Sequence, residues 1–114
     1  MTVDPRASVA VVARRAESAR RLASLVAKGV DVRLALDGDF RFGPGVNVTA
    51  VQEVKGLEFD HVVVADASES VYADDPAARR ALYVAVTRAI HQVVLATVGP
   101  WSPLVEAAAS RAGR

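Results

Sequence analysis

Apolar and polar positions along the chain separate into short runs and helical stripes. Ser8–Ala13 (SVAVVA) is a continuous apolar run, the pattern of a strand covered on both faces in a parallel sheet. Ala16–Lys28 follows with helical spacing. Ala19, Leu22, Leu25 and Val26 fall on one stripe, Glu17 lies one turn before Arg20 and Arg21, and Gly29 is placed to end the helix. Val30–Leu36 alternates Val32, Leu34 and Leu36 with Asp31, Arg33 and Ala35, and reads as a strand with one wetter face. Asp37–Gly45 (DGDFRFGPG) is a loop by its turn chemistry, with Phe40 and Phe42 as its anchors. Val46–Val51 and His61–Ala65 are further strands. Asp74 or Asp75 can cap a helix that starts at Pro76 and runs to about Ala89, burying Ala78, Leu82, Ala85, Val86 and Ala89. Gln92–Thr97 closes the sheet, Gly99–Pro100 breaks it, and Pro103–Ala112 makes a short surface helix.

Strands alternating with helices predict an α/β fold on a mainly parallel sheet of about five strands with flanking helices and right-handed crossovers. Two long helices are few for such a sheet, so part of one face is left for the C-terminal helix or for a partner.

Composition narrows the function. At 114 residues the chain is read as a single domain, residues 1–114. A hydrophobic content of 52% excludes an intrinsically disordered tail. A net charge of +1 excludes a polycation, so any nucleic-acid contact must be local. With no cysteine there is neither a disulfide framework nor a thiolate metal site, and His61 and His91 are too few for an all-histidine centre. They read as structural residues, and no metal site is expected. No apolar run approaches the roughly 20 residues that cross a bilayer, and the N-terminus lacks an export pattern. A cytoplasmic protein without a membrane partner is expected.

Two stretches carry more chemistry than a plain α/β domain needs. The first is Val51-Gln52-Glu53-Val54-Lys55-Gly56-Leu57-Glu58-Phe59-Asp60, a polar turn between two buried strands. Ligands in open α/β sheets gather at the carboxyl ends of strands. Gly56 permits a positive-φ turn, Lys55 offers a cation, and Glu58 offers an acceptor for a sugar hydroxyl. Taken alone, the Lys-Gly pair is equally an ordinary surface turn. The second stretch is Arg79-Arg80-Ala81-Leu82-Tyr83-Val84-Ala85-Val86-Thr87-Arg88-Ala89. Arg88 stands where the helix gives way to the next strand. Its planar cation suits phosphate oxygens, and it also suits the negative end of its own helix. Asp60 and Asp66 flank a strand without a nucleophile or an imidazole to make them a hydrolase pair. Trp101, between Pro100 and Pro103, reads as an apolar lid on the sheet edge.

Together the stretches change the picture. Lys55–Ala67 (KGLEFDHVVVADA) followed by Arg79–Ala89 (RRALYVAVTRA) closely resembles motifs V and VI of the superfamily 1 helicases, the UvrD, Rep and PcrA group with its RecD and HelD relatives. Val11–Arg20 resembles the stretch that opens the second motor lobe in that family, and the likeness covers about residues 8–98. The resemblance implies a RecA-like second lobe, known as 2A, with ATP and Mg²⁺ bound between it and a P-loop lobe. It implies that Arg88 is an arginine finger on the γ-phosphate, that Glu58 bonds the ribose and that Gly56 lets the nucleotide approach. Gln52, Lys55 and Arg14 become candidates for contact with single-stranded DNA.

The chain departs from the family pattern in three places. Ala50-Val51-Gln52 stands where many relatives have Thr-x-His, which removes two possible nucleic-acid contacts. Only a Gly/Pro loop occupies the interval from Leu36 to Val46, where larger relatives insert a helical subdomain, so the compact RecD-like or HelD-like layout is favoured. No Gly-x-x-x-x-Gly-Lys-Ser/Thr sequence occurs, so this chain alone is expected not to hydrolyse ATP. The sequence predicts the C-terminal lobe of a DNA helicase or translocase. The alternatives are a HelD-like lobe whose partner is RNA polymerase, and a non-catalytic interaction domain.

Overall fold

The computed structural model of the protein describes residues 7–26, 28–29, 32–36 and 45–105. In chain order the elements are β1 (Ser8–Ala13), α1 (Ala16–Val26), β2 (Val32–Leu34), β3 (Gly45–Ala50), a 3-10 turn (Val51–Glu53), β4 (Phe59–Val64), α2 (Pro76–Val86) and β5 (Ala89–Leu95). The five strands form one sheet in the order β2-β3-β1-β4-β5. Every pairing is parallel. The expected architecture is therefore present, and it is parallel throughout rather than mainly so.

The apolar run of β1 is buried because the strand is central and its side chains alternate between two layers. Ala10 and Val12 enter the larger core, with Val62 and Val64 of β4, Phe59, Val54 and the α2 residues Ala78, Leu82 and Ala85. Ala13 and Val48 enter the smaller core, closed by Ala19 and Ala23 of α1. Asp75 caps α2, its carboxylate accepting the Ala78 amide at 2.8 Å, with Pro76 in the first helical turn. In α1 Glu17 pairs with Arg21 at 3.5 Å.

Several boundaries and burials differ from the sequence expectation. The second strand, described over Val32–Leu34, ends at Leu34 rather than Leu36, and α2 stops at Val86 rather than Ala89. The Thr87 hydroxyl bonds back to the Tyr83 carbonyl at 2.8 Å, and the chain then turns into β5. Leu25, expected to be buried, is 60% exposed. The helix presses Ala19 and Ala23 onto the sheet, and these small side chains leave Leu25 outside the contact. Val86 and Ala89 are only half-buried, since Leu82 and Ala85 already fill the layer. Trp101 pairs its backbone with Ser68 and leaves its ring 42% exposed, so it is an incomplete lid. The expected loop up to residue 44, with Phe40 and Phe42, lies outside the described residues, as do residues 106–112 of the expected C-terminal helix.

The amino edge of the sheet is tied by Asp60. Its carboxylate accepts from the Ser8 amide at 2.8 Å and the Ser8 hydroxyl at 3.2 Å, and its own amide donates to that hydroxyl at 3.0 Å. These bonds, the Ser8 amide first, hold the Asp60 carboxyl below the usual carboxylate range, with His91 and His61 adding to the effect. A depressed carboxylate stabilises the fold above the unfolded-state value of about 3.9 and loses that contribution as pH falls through the folded-state value. Asp60→Asn should therefore lower Tm at pH 7, and the difference between the two melting temperatures, followed by circular dichroism, should shrink as pH falls below about 3.9.

Candidate functional site

Parallel strands give the sheet two chemically distinct edges, and the candidate residues divide between them. At the carboxyl edge, Ala13 is level with Ala50 in the β1–β3 register. Arg14 and Arg15, which leave β1, thus stand beside Val51 and Gln52, which leave β3. Helix α2 crosses above this corner and presents Ala77, Arg80, Ala81 and Val84, one stripe at helical spacing beside its core-facing Ala78, Leu82 and Ala85, with Ala81 and Val84 also packed against the core. The resulting cleft has a volume of about 530 Å³ and is completed by Lys55 and Tyr83. Its described lining holds four cations, Arg14, Arg15, Lys55 and Arg80, and no carboxylate. The topological switch point, between β1 and β4 whose following connections run in opposite directions, lies one strand over, where Ala13, Arg14, Ala65 and Asp66 line a second, smaller pocket.

Arg14 is partly engaged within the domain. Its guanidinium donates to the Val71 carbonyl and lies over the Tyr72 ring, 5.4 Å from the centroid. Tyr72 is fully buried, and burial raises its hydroxyl to about 12. Gln52 and Lys55 are exposed.

Glu58, Gly56 and Arg88 belong to the other side of the turn. The Leu57 amide donates to the Val54 carbonyl at 3.0 Å, with Gly56 third in the turn at φ +79°, the conformation a type II turn requires there. The chain then enters β4 at the amino edge. The Phe59 amide donates to the Arg88 carbonyl at 2.9 Å, so Glu58 and Arg88 spring from one corner. Glu58 is exposed and Arg88 half-buried. The Arg88 guanidinium has one hydrogen bond, from Nη2 to the Thr87 hydroxyl at 3.2 Å, and its Nε is buried without a partner. No carboxylate among the described residues pairs with it. An arginine held this way keeps most of its donor fork for an acceptor from outside.

The remaining polar candidates are structural. Asp66 accepts the Val98 amide at 3.0 Å. His91 lies 3.6 Å from Asp60 and 6.2 Å, ring to ring, from His61. Among the described residues no group of acids and histidines could hold a metal ion. None of the described helices is long and apolar enough to cross a membrane.

The comparisons with known proteins agree with this arrangement. The UvrD-like helicase C-terminal domain family matches residues 45–96, an interval that contains Gln52, Lys55, Gly56, Glu58, Arg80, Tyr83 and Arg88. Over residues 45–96 this chain is consistent with a UvrD-like helicase C-terminal domain. A solved structure, the C-terminal domain of a possible DNA helicase from Lactobacillus plantarum WCFS1, is similar over 85% of this chain at 34% identity, with a TM-score of 0.75. The chain spans 60% of that neighbour's length. No curated protein matches the sequence.

Three cleft residues, Arg15, Arg80 and Tyr83, were not singled out by sequence reasoning. The available signal was the pair Arg80 and Tyr83, a cation and an aromatic ring one turn apart on a helix whose buried stripe is 78-82-85. The conformational demand at Gly56 is testable apart from any ligand. A Cβ there would meet nothing within 4 Å, so Gly56→Ala carries only the cost of a left-handed backbone. Urea denaturation should show a loss of about 1–2 kcal/mol with an unchanged m-value.

Proposed function

We propose that this domain is the second motor lobe of a superfamily 1 DNA helicase or translocase and completes an ATP site formed by a separate P-loop lobe. The observation that carries the reading is the Arg88 guanidinium, which among the described residues has a buried unpartnered Nε and one neutral hydroxyl as its hydrogen-bond partner. Three equatorial oxygens of a γ-phosphoryl group in transfer would satisfy such a fork, and a fixed cation there lowers the barrier by opposing the charge that grows. Glu58, exposed at the same corner, suits the hydroxyl of a ribose. Gly56 sets the turn that delivers it. ATP and Mg²⁺ supply the phosphoryl chemistry, and this chain's share is to place one cation and one acceptor.

On the opposite edge, Arg14, Gln52 and Lys55 border a cationic cleft suited to a phosphodiester backbone. Separating the two edges lets one domain hold a nucleotide and a strand at once, which a translocating motor needs.

In a protein where this domain is joined to its P-loop lobe, Arg88→Ala should lower ATPase turnover by about 10³-fold or more while nucleotide affinity changes by a few-fold. Steady-state ATPase assays beside equilibrium titration of a fluorescent nucleotide measure both. Turnover close to wild type would remove Arg88 from the site.

A further inference from the structure

Tyr83 is the most exposed aromatic side chain among the described residues, 67% exposed, and it stands on the rim of the cationic cleft. Packing does not account for it. Helix α2 meets the core through Ala78, Leu82 and Ala85, and Tyr83 adds nothing to that layer. It shares the cleft lining with Arg80, one turn earlier on the same helix, and with Lys55 and Gln52. A large apolar ring beside cations, with no carboxylate in the described lining, is poorly suited to a basic partner. It suits a ligand that has flat faces and negative charge in alternation.

We infer that Tyr83 is a base-stacking platform for single-stranded nucleic acid held in this cleft, with Arg80 taking an adjoining phosphate. The inference rests on the nucleic-acid part of the proposed function and gives it a specific contact. A phosphate chain tracked by Arg80 and Lys55 brings its bases within reach of the phenol ring. Stacking on a ring is tolerant of sequence because every base has a π-face. Binding would then have two separable parts: a salt-sensitive backbone contribution from the cations, and a base contribution from Tyr83.

The test measures fluorescence anisotropy of the 114-residue chain with a labelled deoxythymidine 12-mer and with the same strand carrying abasic residues throughout. Tyr83→Ala should weaken binding of the base-bearing strand by about tenfold and leave the abasic strand unaffected. Tyr83→Phe should bind as the wild type does. Arg80→Gln should weaken both strands alike and flatten the dependence on salt. The inference is overturned if the wild-type chain binds neither strand, if Tyr83→Ala weakens both equally, or if it weakens neither. Should Tyr83→Ala instead reduce only the affinity for a P-loop lobe, the ring is a protein contact and the inference also falls. Arg88 acts at the other edge and is read by ATP turnover, so failure of either reading is recognisable without the other.

Discussion

The arrangement depends on one constraint, the short crossing from β3 to β4. Both strands run the same way with β1 between them, so the chain must return from the carboxyl edge to the amino edge. Ala50 is level with Ala13, and His61 is level with Val9, which puts Phe59 at the level of Ala7. The return covers about 20 Å, six residues of strand at ~3.3 Å each. Eight residues, 51–58, make it. Parallel connections ordinarily take a dozen or more, with a helix among them. This one manages with a 3-10 turn, then a tight turn at Gly56, then a direct run into β4. Val51 and Val54 are buried on the way, which fixes the crossing to the α2 side of the sheet. A polar decapeptide that reads as one motif thus begins in one site and ends in another.

That division explains what could and could not be read from the residues. The strands, the Asp75–Pro76 start of α2 and the positive φ at Gly56 are local facts, carried by apolar runs, a capping pair and a turn glycine. They are legible without tertiary information. The pairing of Glu58 with Arg88 at one corner is a matter of register between β4 and β5, and no spacing in the chain encodes it. The cleft is similarly non-local, since Arg14–Arg15, Gln52 and Arg80 come from three separate parts of the sequence. Leu25 shows the opposite failure. Its helical stripe was genuine, yet the alanines beside it took the contact with the sheet. Arg14, read as a phosphate candidate, proved to be shared with Val71 and Tyr72, because a buried tyrosine ring sits beneath it.

Charge placement follows the same geometry. A net charge of +1 conceals a strongly uneven distribution. Carboxylates elsewhere are taken up locally: Glu17 with Arg21, Asp74 with Arg79, Asp60 with Ser8, Asp66 with the Val98 amide. The four cations of the carboxyl-edge cleft have no carboxylate among their described lining partners. Their combined field is effective only near the cleft, because salt screens exposed charges beyond about 10 Å at 0.1 M. A nearly neutral domain can therefore carry a strongly cationic groove without general affinity for polyanions.

Helix α2 is the second element shared by the two edges. Tyr83 and Arg80 face the cleft from its middle, and Thr87 and Arg88 leave its end at the amino edge. Arg80 and Val86, the last helical residue, are six residues apart, about 9 Å along the helix axis, and Arg88 follows two residues later. An α-helix seated by Ala78, Leu82 and Ala85 does not stretch over that distance, so a displacement of Arg88 along the axis displaces Arg80 and Tyr83 with it. The 51–58 crossing repeats the connection on its own side, with Gln52 and Lys55 at one end and Glu58 at the other. Each edge is thus joined to the other by two short connections, one anchored to the core by Ala78, Leu82 and Ala85 and the other by Val51 and Val54.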